Sequence, residues 1–398
     1  MATLKNLTVN DTGFIRLPQG TTAQRPGSPV AGQIRFNTDY SRNEVYNGSA
    51  WVLLEHSAYA TGGSVTASGG YRIHTFTSGA TTFTMTYPGT VEILAVGAGG
   101  GGAQIGGGGG AGGFIYESGT SLPAGNYTVT VGTGGDRETQ HNANNQNPGN
   151  PSSVVGPGIP QMYNAIGGGR GASYTSQHSV VRLCNGGSGG GGPGGHSGSA
   201  GGEGGWWPQA PGGHGNQGAD HPWLAGMPNA TLQGTPTGNN NDHISMEGNG
   251  YGSGIIGQGH PGGFGAHGGG FGWAAGSNTI HCGGGGGGAG SSGKPTSSGN
   301  EMGTGGAGLA SQITGTLTRY AGGGGAGTHG PGGYGHYGLQ GAHGGGLNSF
   351  GGGEGGTGSA AGQNGGTNTG GGGGGGFWGN TQSGSGGPGL VVIRYRDQ

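Results

Sequence analysis

Few residues of this chain can do chemistry, and most that can are histidines and aromatics set among glycines. His260 and His267 stand seven residues apart, as do His329, His336 and His343. A bound metal ion needs three or four nitrogen, oxygen or sulfur ligands converging on one point. Seven residues do not return to one face of a three-residue-per-turn helix. The spacing therefore predicts structural hydrogen bonds from imidazole to glycine carbonyls. Cys184, Cys282 and His281 are too few for a zinc site, and the two cysteines could pair or stay as thiols. Asp136-Arg137-Glu138 and Asp242 with Glu247 are the notable acidic groupings. Paired carboxylates across a cleft can cleave glycans. No such spacing is legible here, and solvated loops are expected. The glycine runs are not phosphate loops, because Lys294 is followed by Pro295. No catalytic residue, metal or cofactor is expected.

The aromatic clusters interrupt the glycine. They are Trp206-Trp207-Pro208, Pro222-Trp223-Leu224, Phe271-Gly272-Trp273 and Phe377-Trp378-Gly379, with Tyr251 a further candidate. Exposed aromatic faces beside Asn, Gln, Asp and His suit sugar rings. The alternative is that they cap the glycine region, packing over backbone or between subunits.

Three blocks must position these groups. Residues 1–56 read as a small β unit, with strands over 33–37 and 44–54 and an Asn47-Gly48 hairpin signal between Tyr46 and Trp51. Residues 57–135 read as β too. Phe83, Met85 and Tyr87 alternate with threonines, as do Tyr127, Val129 and Val131, and 91–96 (VEILAV) is a stronger apolar run. The signal returns only at 389–396 (GLVVIRYR), and a lone strand is not stable by itself. The economical fold pairs it with the 71–131 strands. The expected class is all-β: an N-terminal β unit (1–56), a β-sandwich-like domain (57–135 plus 389–398), and an insertion at 136–388.

Glycine makes up 118 of the 398 residues, and it comes in phase. It opens seven consecutive triplets from Gly186 through Trp206, and recurs every third residue at Gly259–Gly268, Gly284–Gly293 and Gly324–Gly333. GAHGGGF at 265–271 is echoed by GAHGGGL at 341–347. A flexible linker needs no phase. An extended three-fold helix does, because its N–H and C=O groups point outward and can bond to neighbours only where side chains are absent. Collagen would need unbroken G-X-Y and much more proline than the 19 present. The insertion is therefore expected to be a polyglycine II helix bundle with loops at its tip.

Charge narrows the partners. The formal net charge is −2, and no Lys or Arg lies between Arg182 and Lys294. Nucleic-acid binding needs clustered cations, so it is not expected. No apolar run is long enough to span a membrane, and residues 1–13 lack the apolar core of a signal peptide.

Residues 13–51, with LPQGTTAQRPGSPVAGQIRFNTD and VYNGSAWV, resemble a short segment common in tailed-phage structural and tail-fibre proteins. YRIHTFT at 71–77, the VEILAVGAGGGG stretch and the closing GPGLVVIRY resemble the glycine-rich domain of phage tail proteins and tail-tip adhesins. The resemblance implies a non-enzymatic virion protein without a signal peptide, a tail fibre or receptor-binding adhesin, with the homotrimer as default assembly. Its N-terminal unit would dock to other virion proteins or to sister copies. Polyglycine II helices would form the distal domain. Tip loops would touch a host glycan or outer-membrane protein through Trp206, Trp207, Trp223, Tyr251, Phe271, Trp273, Phe377 and Trp378. A capsid decoration or head fibre, and a polysaccharide depolymerase, are the competing readings.

Overall fold

Alternation of apolar and polar residues builds the longer strands of this chain, such as those at 79–87 and 125–131. The computed structural model describes residues 13–54, 58–104, 106–139, 147–159, 163–173, 184, 186–192, 209–210, 258–260, 262–263, 265–267, 281–294, 303–329, 350–356, 360–377 and 382–397. Two units are distinguished, Met1–Ser57 and Ala58–Gln398. The named elements are all β-strands except one 3-10 turn at Thr22–Gln24. Among the described residues no helix is long and apolar enough to cross a membrane.

The first unit is one sheet of β1 (Gln19–Gly20), β2 (Ile34–Asn37), β3 (Arg42–Tyr46) and β4 (Trp51–Leu53), in that order. The expected hairpin joins β3 to β4. Asn47 Oδ1 accepts from the Ser49 and Ala50 N–H groups at 2.9 Å each, and Gly48 takes φ 106°. That positive φ is why glycine sits at this corner. One sheet face carries Ile34, Val45 and Val52 in register. Ile34 and Val52 remain 43% and 40% exposed. The other face is centred on an ion cluster. Glu44 is fully buried, 2.6 Å from Arg25 and 3.3 Å from Arg35, and accepts from Asn37 at 3.0 Å. The hydrogen bond from Arg25 leads in holding the Glu44 carboxyl below its usual range.

The second unit holds two five-stranded sheets. β5 (Tyr59–Thr61), β8 (Gly79–Tyr87), β11 (Gly125–Val131), β12 (Ser152–Val155) and β13 (Asn164–Ala165) form one, ordered β13-β12-β11-β8-β5. β6 (Ser64–Ser68), β7 (Tyr71–Phe76), β9 (Gly89–Val96), β10 (Phe114–Leu122) and β20 (Leu390–Arg396) form the other, ordered β10-β9-β20-β7-β6. Phe83, Met85, Tyr127 and Val129 from the first meet Val91, Ile93, Val391 and Ile393 from the second in one apolar core. β20 is an interior strand: Ile393 stands opposite Ile93 on one side and His74 on the other. β12 and β13 come from the stretch expected to be glycine insertion. Ser153, Val154 and Val155 of β12 pair there with the threonine-bearing strand β11.

One polar chain crosses this core. Ala60 N–H donates to Tyr395 Oη at 2.9 Å, and His74 Nε2 lies 3.3 Å from the same hydroxyl. His74 Nδ1 lies 2.7 Å from Gly62 O. The pattern closes if His74 is neutral, donating through Nδ1 to the carbonyl and accepting the Tyr395 hydroxyl proton at Nε2. Burial pushes the His74 pKa below its ordinary value.

Beyond the sheets run extended glycine segments held mainly by backbone bonds. Their partners change with a period of three. Ala98 and Gly101 donate to Asn150 and Asn147, Gly99 and Gly102 to Gly387 and Gly384, and Gly100 and Ala103 to Gly110 and Gly107, all within 2.9–3.1 Å. The 107–113 segment does the same: Gly107, Gly110 and Gly113 donate to Ala172, Gly169 and Ile166, while Gly109 and Gly112 donate to Gly373 and Gly370. Each segment thus bonds to several neighbours around its axis. A β-strand bonds to two at most. A Cβ built on Gly99, Gly100, Gly102, Gly109 or Gly112 would overlap a carbonyl of the neighbouring segment. None of these five has positive φ. Close approach requires glycine here, and turn geometry does not.

Smaller elements complete the unit. β14 (Gln209–Ala210), β15 (Gly265–His267), β16 (His281–Cys282) and β19 (Thr328–His329) pair antiparallel in that order. β17 (Leu309–Ser311) and β18 (Thr318–Tyr320) form a hairpin.

Candidate functional site

Of the eight aromatic residues singled out from sequence, Trp206, Trp207, Trp223, Tyr251, Phe271, Trp273 and Trp378 lie outside the described residues. Phe377 is described. It is half-buried and follows directly on a glycine segment, whose Gly376 N–H donates to Ala103 O at 2.8 Å.

The described surface includes a polar groove of about 380 Å³, lined by Thr133, Gly134, Gly135, Asp136, Asn147, Pro148 and Asn150. Two extended stretches build its walls. Asn150 N–H donates to Thr133 O at 3.0 Å and Asn147 N–H to Asp136 O at 3.1 Å. Their side chains are tied in parallel fashion: Asn147 Nδ2 donates to Asp136 Oδ2 at 3.0 Å and Asn150 Nδ2 to Thr133 Oγ1 at 2.7 Å. Carboxylate, carboxamide and hydroxyl groups in one small concavity can hydrogen-bond a polyol. Sequence reading missed Asn147 and Asn150. The signal available was the amide- and proline-rich run NPGNP at 147–151.

The Asp136-Arg137-Glu138 grouping does not make a carboxylate pair. Asp136 is exposed, but Glu138 is fully buried, which corrects the expected solvated loop. Gln104 N–H donates to Glu138 Oε2 at 2.8 Å, and Ser173 Oγ is 3.2 Å from Oε1. The Glu138 N–H donates to Ser383 Oγ at 2.9 Å. Two glycine-flanked segments are thereby pinned on the Glu138 side chain, and a third, through Ser383, on its backbone. Arg170 and Cys184 are buried as well, each 1% exposed. Burial pushes the Cys184 thiol up to about 11, with Arg170 pulling the other way. The thiol is therefore protonated at neutral pH and poorly suited to act as a nucleophile. His260 is half-buried, and burial lowers its pKa. Among residues with described side chains, no group of three His, Cys, Asp or Glu is placed to hold a metal ion.

Residues 75–310, more than half of the chain, match the family described as Glycine-rich domain. The chain belongs to that family. The match of this glycine-rich domain protein starts inside β7 and ends inside β17, so it covers strands of both sheets and much of the glycine. It stops short of β20, the strand that joins β9 to β7. No curated protein matches the chain.

Proposed function

We propose that this glycine-rich domain protein is a structural component of a bacteriophage virion, a tail fibre or receptor-binding adhesin that presents loops to the host surface. The observation that carries the reading is the three-residue period in the glycine bonds. Polyglycine II helices have three residues per turn and unsatisfied outward backbone groups. Donor partners that repeat at positions 98/101, 99/102 and 100/103 are what packing such helices against neighbours requires. A body of this kind is stiff without a large apolar core, and it can carry loops at a distance from the sandwich. The stretches at 13–51, 91–102 and 387–395 resemble phage tail and adhesin segments, and that resemblance supports the virion reading.

In this reading the first unit attaches to another virion protein or to sister copies, most simply as a homotrimer. The apolar row Ile34, Val45 and Val52 supports that role. The aromatic interruptions contact a host glycan or outer-membrane protein. The polyol-compatible groove at Thr133–Asp136 and Asn147–Asn150 fits a sugar-binding surface better than a catalytic one, because its only carboxylate is Asp136. Weak single contacts would gain strength from several copies on one particle.

The test is location and adsorption. Antibody-labelled particles viewed by negative stain should carry label at the tail end. Label on the capsid, or none, rejects the tail reading. Alanine at Trp206, Trp207 and Trp378 together should slow adsorption to bacteria while the protein stays folded. Unchanged adsorption removes those clusters as receptor contacts. Shortening of host polysaccharide by the purified protein would overturn the non-enzymatic assignment.

A further inference from the structure

The two five-stranded sheets of the second unit end in four edge strands, and three of these carry a device that discourages further pairing. β13 is two residues long, and β5 is three, with a break in register between Tyr59 and Ala60. β10 carries Glu117 and a break in register between Glu117 and Thr120. Short strands, bulges and charges are the ordinary means of blunting an edge. β6 has none of them. Its five residues, Ser64 to Ser68, pair with β7 without interruption, include no charge and no proline, and are all exposed. Among the described residues no strand pairs on its other side. A two-residue turn at Gly69-Gly70, with φ 59° and 76°, closes β6 onto β7 and makes Ser68 and Tyr71 a hydrogen-bonded pair. Bonded and non-bonded pairs alternate along an antiparallel ladder. Ser64 and Thr66 thus bond inward to β7, while Val65 and Ala67 turn their N–H and C=O groups to the open side.

We propose that β6 is a docking edge for the β6 of a second copy of this chain, paired antiparallel about a two-fold axis at Thr66. The strand SVTAS is complementary to itself under that operation. The axis sets Ser64 opposite Ser68 of the second copy, Val65 opposite Ala67, and Thr66 opposite Thr66. No charges meet, and hydroxyl residues opposed across strands stabilise one another. Val65 and Ala67 donate and accept across the axis, for about four backbone bonds in all. Each copy uses the same edge, so the pair is closed and does not grow into a filament. This contact is separate from any that the first unit makes, and it does not depend on the virion reading.

The experiment weighs the full chain by sedimentation equilibrium. The wild-type assembly should have twice the mass of the Thr66→Lys assembly, because that change opposes two ammonium groups across the axis. Ser118→Lys, exposed on the β10 edge, should keep the wild-type mass. Should Thr66→Lys fail to fold by circular dichroism, Ala67→Pro serves instead, because the N–H it removes faces away from β7. Oxidation then reads the register. Thr66→Cys places two thiols on residues about 4.5 Å apart at Cα, within reach of a disulfide, and should give a linked dimer on a non-reducing gel. Ser64→Cys sets its two copies about 13 Å apart along the strands and should not link. Equal masses for wild type and Thr66→Lys, equal loss in Ser118→Lys, or linking through Ser64→Cys as readily as through Thr66→Cys would each overturn the contact.

Discussion

Phe83 and Gly109 are both enclosed, one by side chains and the other by backbone. Phe83 packs its ring edge-on against Phe76 and His74, and touches Tyr127, between two sheets. Gly109 donates to Gly373 at 2.8 Å, accepts from Gly324 at 2.9 Å, and leaves no room for a Cβ beside Gly100 O. In the sheets, stability comes from apolar area removed from water, and the backbone bonds pair along two edges. In the glycine body there is almost no side chain to bury. Ordering costs more per residue because glycine loses the most freedom. What offsets that cost is hydrogen bonding in several directions, with close backbone contact. The two regions should therefore respond oppositely to mutation: one suffers when atoms are removed, the other when atoms are added.

The largest expected loss is on the side-chain side. Phe83→Ala should destabilise the second unit by about 3–5 kcal/mol, read as a lowered denaturation midpoint with unchanged slope. A loss below about 1 kcal/mol would mean that this core is not the source of the unit's stability. Next, Gly109→Ala adds one methyl against fixed backbone and should cost about 1–3 kcal/mol, although alanine is the better residue by backbone entropy. Gly27→Ala is its counterpart, since nothing lies within 4 Å of a Cβ there. It should change stability by no more than about 0.5 kcal/mol. Equal effects at Gly109 and Gly27 would remove the steric account of the glycine body.

Tyr395→Phe sharpens the comparison inside the apolar region. It removes the acceptor of Ala60 N–H and the partner of His74, at a cost of about 1–3 kcal/mol for the buried groups left behind. The smallest effect is on acid stability. Because the folded His74 pKa lies below its ordinary value, both states are neutral above that value. As pH falls below about 6.5, the unfolded chain takes up a proton that the folded chain resists, so stability declines. His74→Gln should flatten the fall in melting temperature between pH 7.5 and 5. Superimposable profiles would show that another group governs it.

The strands at 82–87, 127–131 and 390–396 were legible because a two-residue period names one buried face. The return of β20 to the sheet was legible as well, from the need of an isolated strand for neighbours. β12 and β13 were not, since four residues of valine and serine in an amide- and proline-rich stretch carry too short a period. Glu138 was hidden for a different reason. A carboxylate beside an aspartate and an arginine reads as solvent-facing, and only the convergence of distant Gln104, Ser173 and Ser383 encloses it. Spacing along a chain says where a residue falls on one helix, whereas strand register between remote segments is set by the fold. The aromatic candidates gain little from the structure, because only Phe377 lies among the described residues.

The position of β20 has a consequence for synthesis. Residues 390–396 are translated after all of the glycine body, yet they belong between β9 and β7, which are made hundreds of residues earlier. Until they leave the ribosome, two apolar strands present open edges to solvent, where such edges invite aggregation. Nascent chains released early would keep that gap and be exposed to proteases, so the arrangement screens for molecules read through to residue 396.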